Sequence, residues 1–508
     1  MPSLRTLIGV CVVVCLLAGR VFALPRANSS LEALQKDRHE LELRFETELQ
    51  KLVIYCDERE LTTASQNLRS LLNPQTDDGL HLSALPSTVQ PPIPPQLSDE
   101  ERYWRTQLRH HQTEYATQLY LLSRRALHAG YPSLAYDLVR DVAIHDPDHV
   151  KARELLGFVR RGDEWVTRFT AEMRKKQQVW TEDFGWLNKA HQERYRNGDR
   201  LVNGHWMSAE KEAQVRQDFR YAWEIQTEHF LIRTNHSREK ALELGRALED
   251  FHEIFYQTFA GFFNTPEQLQ KLFDGSSGDV RSHKKPHEVH YYRTRDEYIR
   301  RLEPQFPQIQ MTNGIYLTSD RKAHFYHDPQ ANNEATLFHE ATHQLFYESH
   351  HRPRAIAEQA NFWIIEGIAC YMESFRRGTD GTSLGDPRYI RFAGARYNRL
   401  HENYYIPLRE FSSLSMRDFQ NHPQISKNYT QASGLAQFLM HYDHGAYREA
   451  LVNHLAQLYS VNRKTLEHPR NLDELTDVPF EELDEQYEQF LREFDQSASA
   501  VRSNEARE

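Results

Sequence analysis

Leu31, Leu34, Leu41, Leu43, Phe45 and Leu49 recur at helical spacing among many charges, and this pattern predicts helix over residues 29–73. The periodicity then stops. Pro86 and the run Pro91-Pro92-Ile93-Pro94-Pro95 predict an extended, Pro-rich linker over 74–98, after a helical segment spanning 24–73. Ser98-Asp99-Glu100-Glu101 places a capping residue ahead of acids, which is how helices start. Residues 99–160 then read as three helices broken at Gly130-Tyr131-Pro132 and Asp146-Pro147-Asp148. Over 161–222, Gly162-Asp163-Glu164-Trp165-Val166-Thr167 is echoed by Gly204-His205-Trp206-Met207-Ser208. Each is followed by a charged helical stretch, predicting small turn-plus-helix units anchored by tryptophan.

The period changes at Trp223. Ile225, Phe230 and Ile232 mark strands, a helical run follows from Glu239 to Phe263, and His287–Tyr292 reads as another strand. Gly314–Thr318 and Ala323–Tyr326 predict a hairpin turning at Asp320-Arg321. Two long helices are expected over 333–350 and 355–377, the second closing on Arg376-Arg377-Gly378, basic residues followed by glycine. A loop-rich stretch precedes helices resuming near Thr430. The order predicts an α+β domain with helices segregated from a small sheet, over 223–495, and a flexible tail over 496–508. Ahead of it, Ala135, Pro147 and Leu156-Gly157 fall at offsets similar to tetratricopeptide repeats, which suits either a short helical hairpin packed on its neighbour or a repeat array binding a peptide or protein partner.

Composition narrows the function classes. The 508 residues carry a formal net charge of −10, with 39% hydrophobic and 11% aromatic residues, enough apolar content for packed cores. A mildly acidic chain offers no bulk electrostatic footprint for nucleic acid. Its one long apolar run, Leu7–Gly19 between Arg5 and Arg20, is shorter than the ~20 residues a membrane helix needs. With Val21-Phe22-Ala23 behind it, residues 1–23 read as a signal peptide, so the chain is expected to be exported to a periplasmic, cell-surface or extracellular location with no membrane span after cleavage. An uncleaved anchor is the alternative. Cys56 and Cys370 remain after cleavage and read as free or buried thiols. Asn28, Asn235 and Asn428 stand in glycosylation sequons.

The sharpest local pattern is His339-Glu340-Ala341-Thr342-His343. On a helix, positions i and i+4 share a face, so both imidazoles can reach one metal ion with Glu340 beside them. Among 27 histidines such a match can arise by chance, but Leu337, Phe338, Ala341, Leu345 and Phe346 give this segment a buried face. Glu366 lies in the otherwise apolar Ile364-Ile365-Glu366-Gly367-Ile368-Ala369, where an unpaired carboxylate is costly and a metal ion offsets that cost. Two His and one Glu with an open fourth position is the donor set of a catalytic zinc site. A buried Glu366 paired with Arg or His is the competing reading.

HEATH followed by WIIEGIACYME resembles the gluzincin metallopeptidases, whose second motif is a Glu on the next helix. More specifically, residues 120–495 resemble an uncharacterised bacterial family of secreted, gluzincin-like proteins with tetratricopeptide-like helices ahead of the peptidase-like domain. HDPDHVKARELLGF, DFGWL, TEHFLIRTN, TNGIY and TLFHEATHQLF carry that likeness. The resemblance implies a zincin-like fold and one zinc ion per chain, with His339, His343 and Glu366 as ligands and Glu340 as general base. Many gluzincins carry an Asp one turn beyond the ligand Glu to orient a zinc-bound His. Here that position is Cys370, and Glu373, on the same face as Glu366, is the candidate substitute.

Gluzincins also use a downstream Tyr or His to stabilise the oxyanion, and Asn428-Tyr429-Thr430-Gln431-Ala432-Ser433-Gly434 resembles that helix start. Tyr429 is therefore the candidate donor, against a packing role in a chain with 25 tyrosines. The expected function is a secreted zinc metallopeptidase acting on a peptide or protein substrate, with the Gly314–Thr318 strand holding it by strand addition. Two alternatives remain: a non-catalytic interaction protein built on helical repeats and a zincin fold, and hydrolysis of a non-peptide bond at the same site.

Overall fold

The computed structural model describes residues 27–72, 79–276, 285–330, 334–349, 357–460 and 470–505. The expected signal peptide, 1–23, lies outside them. Helices α1 (Ala27–Glu58) and α2 (Thr62–Leu72) form an antiparallel pair, reversing at Glu60, whose φ is +56°. Their apolar faces close on Trp104, with Leu49, Leu52 and Cys56 buried between them. The segment expected as a linker does more than span a gap. Within it, β1 (Leu80–Ser83) pairs antiparallel with residues 381–384, and Leu82 is buried in the main core. The Leu-His-Leu alternation around Leu82 supplies one buried side chain and a paired backbone, which no Pro-rich spacer has.

The three helices expected over 99–160 are present as α3 (Asp99–His128), α4 (Pro132–His145) and α5 (Val150–Leu155). Ser98 caps α3 by accepting from the Glu101 amide, and Pro132 opens α4 where no amide donor is needed. Three hairpins follow, one more than the sequence echo suggested: β2 (Phe158–Arg161) with β3 (Glu164–Thr167), β4 (Gln178–Thr181) with β5 (Gly185–Asn188), and β6 (Asp199–Val202) with β7 (His205–Ser208). Trp165, Trp186 and Trp206 hold the equivalent second position of β3, β5 and β7. The last residue of each hairpin turns into a cap: Thr167 for α6 (Arg168–Lys175), Asn188 for the turn before α7 (Gln192–Arg196), and Ser208 for α8 (Ala209–Arg216). The middle copy reverses through Glu182-Asp183-Phe184, without the early glycine of its neighbours, so its sequence hides the repeat.

The five-stranded sheet runs in the order β11-β12-β10-β9-β8. It is built from β8 (Trp223–Gln226), β9 (Phe230–Thr234), β10 (His287–Tyr292), β11 (Gly314–Leu317) and β12 (Lys322–Tyr326). β9 and β12 run parallel to β10, with α9 (Arg238–Thr258) crossing from β9 towards β10, while β8 and β11 pair antiparallel at the two edges. The helices α10 (Ala260–Phe263), α11 (Pro266–Phe273) and α12 (Arg295–Leu302) fill the connections. One sheet face packs Ile232, Val289, Ala323 and Phe325 against α9 and α13 (Glu334–Glu348); the other packs Tyr292 against Phe219 and Tyr298.

Beyond α13, the second long helix is shorter than its sequence suggests. α14 spans Phe362–Met372, and Arg376-Arg377 form β13, not a helix end. β13 pairs with β14 (Gly381–Leu384), which pairs in turn with β1; this partner is remote in sequence, so the local signal of basic residues before glycine was misleading. The stretch expected as loop holds α15 (Ile390–Leu400), α16 (Leu408–Ser413) and α17 (Met416–Gln420), whose Phe392, Leu408, Phe411 and Phe419 are buried at helical spacing too short to stand out. α18 (Ile425–His441) starts before Tyr429 and not at Thr430. α19 (Arg448–Leu458), α20 (Leu472–Thr476) and α21 (Phe480–Glu505) close the fold. α21 carries the backbone helically through most of the expected flexible tail, where Ala498, Ala500 and Glu505 are good helix formers, and residues 506–508 lie outside the described residues. The molecule is thus α+β, as expected. Among the described residues no helix is long and apolar enough to cross a membrane.

Candidate metal centre

Helix α13 presents His339 and His343 one turn apart towards Glu366 on α14. Both helices are held in place by apolar neighbours: Phe338 and Leu345 on the first, Trp363, Ile364 and Ile368 on the second. The two Nε2 atoms are 3.2 Å apart, and Glu366 Oε2 lies 3.4 Å from that of His339 and 3.7 Å from that of His343. A tetrahedral zinc ion with bonds of about 2.0–2.2 Å separates its ligand atoms by about 3.3–3.6 Å. The triangle therefore fits the edge of such a site, and the donor chemistry, two imidazoles and one carboxylate, fits as well.

A supporting layer fixes His339. Its Nδ1 lies 2.8 Å from Glu373 Oε1, so the ring donates there and leaves Nε2 for the centre. Glu373 is itself saturated: it accepts from the Tyr389 hydroxyl at 2.8 Å and from Arg391 at 2.5 and 2.9 Å. Burial pushes the Glu373 carboxyl up, but His339 and Arg391 outweigh it and hold the group below the usual range. Glu366 behaves alike, with His343 and His339 overcoming burial to keep it ionised. Burial would lower His339, yet Cys370, Glu366 and Glu373 together carry it well above the ordinary histidine value. Two carboxylates around one imidazole make a site that demands positive charge.

Cys370 Sγ is 4.0 Å from His339 Nδ1, and burial keeps its thiol above the usual range. His339, Cys370 and Glu373 also approach one another closely enough to chelate. Because Glu373 is already occupied by Arg391 and Tyr389, this trio acts as a buttress for His339. Cys56 and Cys370 are both free and buried. The sequons at Asn235 and Asn428 are buried too, their side chains bonded to Glu297 and to Tyr404, so neither can accept a glycan in the folded chain.

Glu340 faces the edge strand. Its Oε2 accepts from the Tyr316 amide of β11 at 2.8 Å, which sets the carboxylate beside the ligand cluster. Glu348, two turns on, bonds His287 of β10 at 2.8 Å and the Tyr316 hydroxyl at 3.3 Å, so α13 is pinned to the sheet at both ends of this stretch. Tyr429, on α18, packs edge-on against Phe419 at 5.2 Å, and among the described residues its hydroxyl has no protein partner. Burial, then Glu366, push its phenol far above the ordinary value, so it stays a neutral donor.

All five sequence-level candidates therefore converge. Sequence reasoning missed Tyr389 and Arg391, which come from the start of α15, and the Tyr316 amide; only the buried charge of Glu373 hinted that a cation must face it. Residues 333–462, which carry every one of these five candidates, match a family model described as a protein of unknown function (DUF1570). No curated protein and no solved structure matches the chain.

Proposed function

We propose that this protein is an exported zinc-dependent peptidase of the gluzincin type, with a zincin-like domain behind tetratricopeptide-like helices. The observation that carries the reading is the ligand triangle of His339, His343 and Glu366, with Glu340 anchored beside it by a backbone amide. A purely structural metal has no use for that fixed, adjacent carboxylate. His339, His343 and Glu366 would hold the ion, which when bound supplies a Lewis acid for the scissile carbonyl and brings the pKa of water near ~7.

The chain's own residues do the rest. Glu340 takes the proton of the attacking water and hands it to the leaving amine. The Tyr429 hydroxyl, unpartnered among the described residues, donates to the developing oxyanion. β11 is an edge strand, and the Tyr316 amide points away from β12 towards Glu340. An extended peptide added along that outer edge would lie across the cluster. Export rests on the apolar run Leu7–Gly19 between Arg5 and Arg20.

The test is metal analysis of the purified chain together with turnover of a peptide library, with and without chelator. Stoichiometric zinc and chelator-sensitive cleavage are expected, with Glu340→Gln keeping zinc and losing turnover. Equal inertness of wild type and Glu340→Gln across the library would favour the interaction-module reading. Full zinc in both His343→Ala and Glu366→Ala would remove the ligand set.

A further inference from the structure

The three hairpins share one design, but their tryptophans differ in what covers them. The guanidinium of Arg153 sits 5.5 Å from the Trp165 ring, and that of Arg194 sits 3.6 Å from Trp206. Among the described residues, Trp186 of the middle hairpin has no such cation. Its ring stands edge-to-face with Trp180 at 5.6 Å and with Phe169 at 5.8 Å, all three half-buried. These rings form one wall of a cavity of about 1130 Å³.

Helix α9 forms the facing wall with Glu249, Asp250 and Glu253, and Glu172, Glu182 and Glu228 complete the lining carboxylates. Five cations oppose these six acids: three arginines of the lining, with Arg377 3.7 Å from Asp250 and Lys175 2.6 Å from Glu172, while His229 bonds Glu249 at 2.7 Å. Arg140 is committed to Glu253 at 2.6 Å and to the Ser83 carbonyl at 2.5 Å, and Arg246 to Glu182 at 2.7 Å; Arg168 is the third. The surplus is negative. Burial holds the Asp250 carboxyl above the usual range against the pull of Arg377, with smaller contributions from Glu253 and Glu249. Aromatic faces and carboxylates attract the same kind of ligand, a cation. The other two copies of the hairpin already show an arginine in that role.

We propose that this groove binds an arginine- or lysine-bearing peptide segment, with the Trp186 and Trp180 rings taking the cationic head and the α9 carboxylates its hydrogen bonds. Arginine suits the site better, since a planar guanidinium both stacks on a ring and forks onto a carboxylate. The groove is separate from the metal centre. Phe251, on the other face of α9, stacks on Phe338 of α13 at 5.0 Å, so the helix stands between the two sites. The proposal concerns binding alone and does not depend on the peptidase reading.

The experiment uses fluorescence anisotropy of the full chain with a labelled decapeptide of alternating Gly and Arg. Saturable binding that weakens with added salt is expected. The same peptide with citrulline in place of arginine, equal in shape but uncharged, should bind at least about tenfold more weakly. Trp186→Leu should weaken the arginine peptide by a similar factor. So should Asp250→Asn combined with Glu172→Gln, an isosteric pair whose far-UV circular dichroism checks the fold. No saturable binding, equal binding of the citrulline peptide, unaltered affinity in the folded amide variant, or displacement by the neutral sugar chitohexaose would each overturn the proposal.

Discussion

His339 owes its orientation to one buried carboxylate. Glu373 receives the imidazole Nδ1–H on one oxygen and the Arg391 and Tyr389 donors around both, so its charge sets the ring's tautomer and angle together. Glu373→Gln keeps the volume but removes the charge that Arg391 faces. Zinc affinity should fall about 10–100-fold, the usual effect of losing such a partner, which competition against a chromogenic chelator would measure. Tyr429 is a different case, since among the described residues its hydroxyl bonds nothing. Tyr429→Phe should leave melting temperature and zinc content near wild type while lowering kcat by about 10²–10³-fold with little change in KM. Unchanged turnover would take this tyrosine out of the site. At this scale the candidate site was legible because His339, Glu340 and His343 declare themselves by spacing within one helix. Glu366 declares itself as a lone charge in an apolar run. Arg391 and Tyr389 were not, because nothing local distinguishes them from the chain's other arginines and tyrosines until α15 folds back onto α14.

Between elements, the contact that matters most for the site is α14 against α18, since one carries Glu366 and the other Tyr429. The two backbones meet at Gly367, where an added Cβ would stand 2.6 Å from the Ala432 carbonyl oxygen. A backbone atom cannot step aside by changing rotamer. Alanine gains about 1 kcal/mol of helix propensity over glycine at such a position, but the clash requires the helices to part. Gly367→Ala should therefore lose about 1–3 kcal/mol in urea unfolding and should weaken zinc binding as Glu366 is displaced. A more stable Gly367→Ala protein would mean the helices are not in close contact there. The glycine beside Glu366 was visible in the sequence, and its reason was not, because Ala432 is remote in the chain. The same limit hid β1: it pairs with β14, and nothing in its flanking sequence announces a partner that far away. The hairpins show the converse. Their Trp residues were local enough to read in two copies, and a longer turn concealed the third.

For the whole molecule, the sequence left the 99–160 helices either packed on their neighbour or open to a partner, and the structure has them packed on the helices of the 223–495 region. The core of α3, α4 and α5 is completed by Tyr256, Ala260 and Phe273 from α9, α10 and α11. At its centre, Asp137 of α4 accepts from Gln257 of α9 at 2.8 Å and from Arg448 of α19 at 2.7 Å. Arg448 is buried, and among the described residues its Nε and Nη2 have no hydrogen-bond partner; Asp137 is the strongest charge opposing it, ahead of Glu449. Removing one member of such a pair leaves a charge stranded in the interior, which typically costs about 3–5 kcal/mol. Asp137→Ala should therefore lower stability by roughly that amount. Because the pair ties the N-terminal helices to the helices behind the candidate metal centre, both parts should lose stability together. Urea unfolding followed by far-UV circular dichroism and by release of bound zinc should give coincident transitions in wild type, both shifted to lower urea in Asp137→Ala. If the N-terminal helices instead unfolded alone while zinc stayed bound, they would be an independent unit resting against the metal-binding part, and Asp137 a surface contact between two bodies.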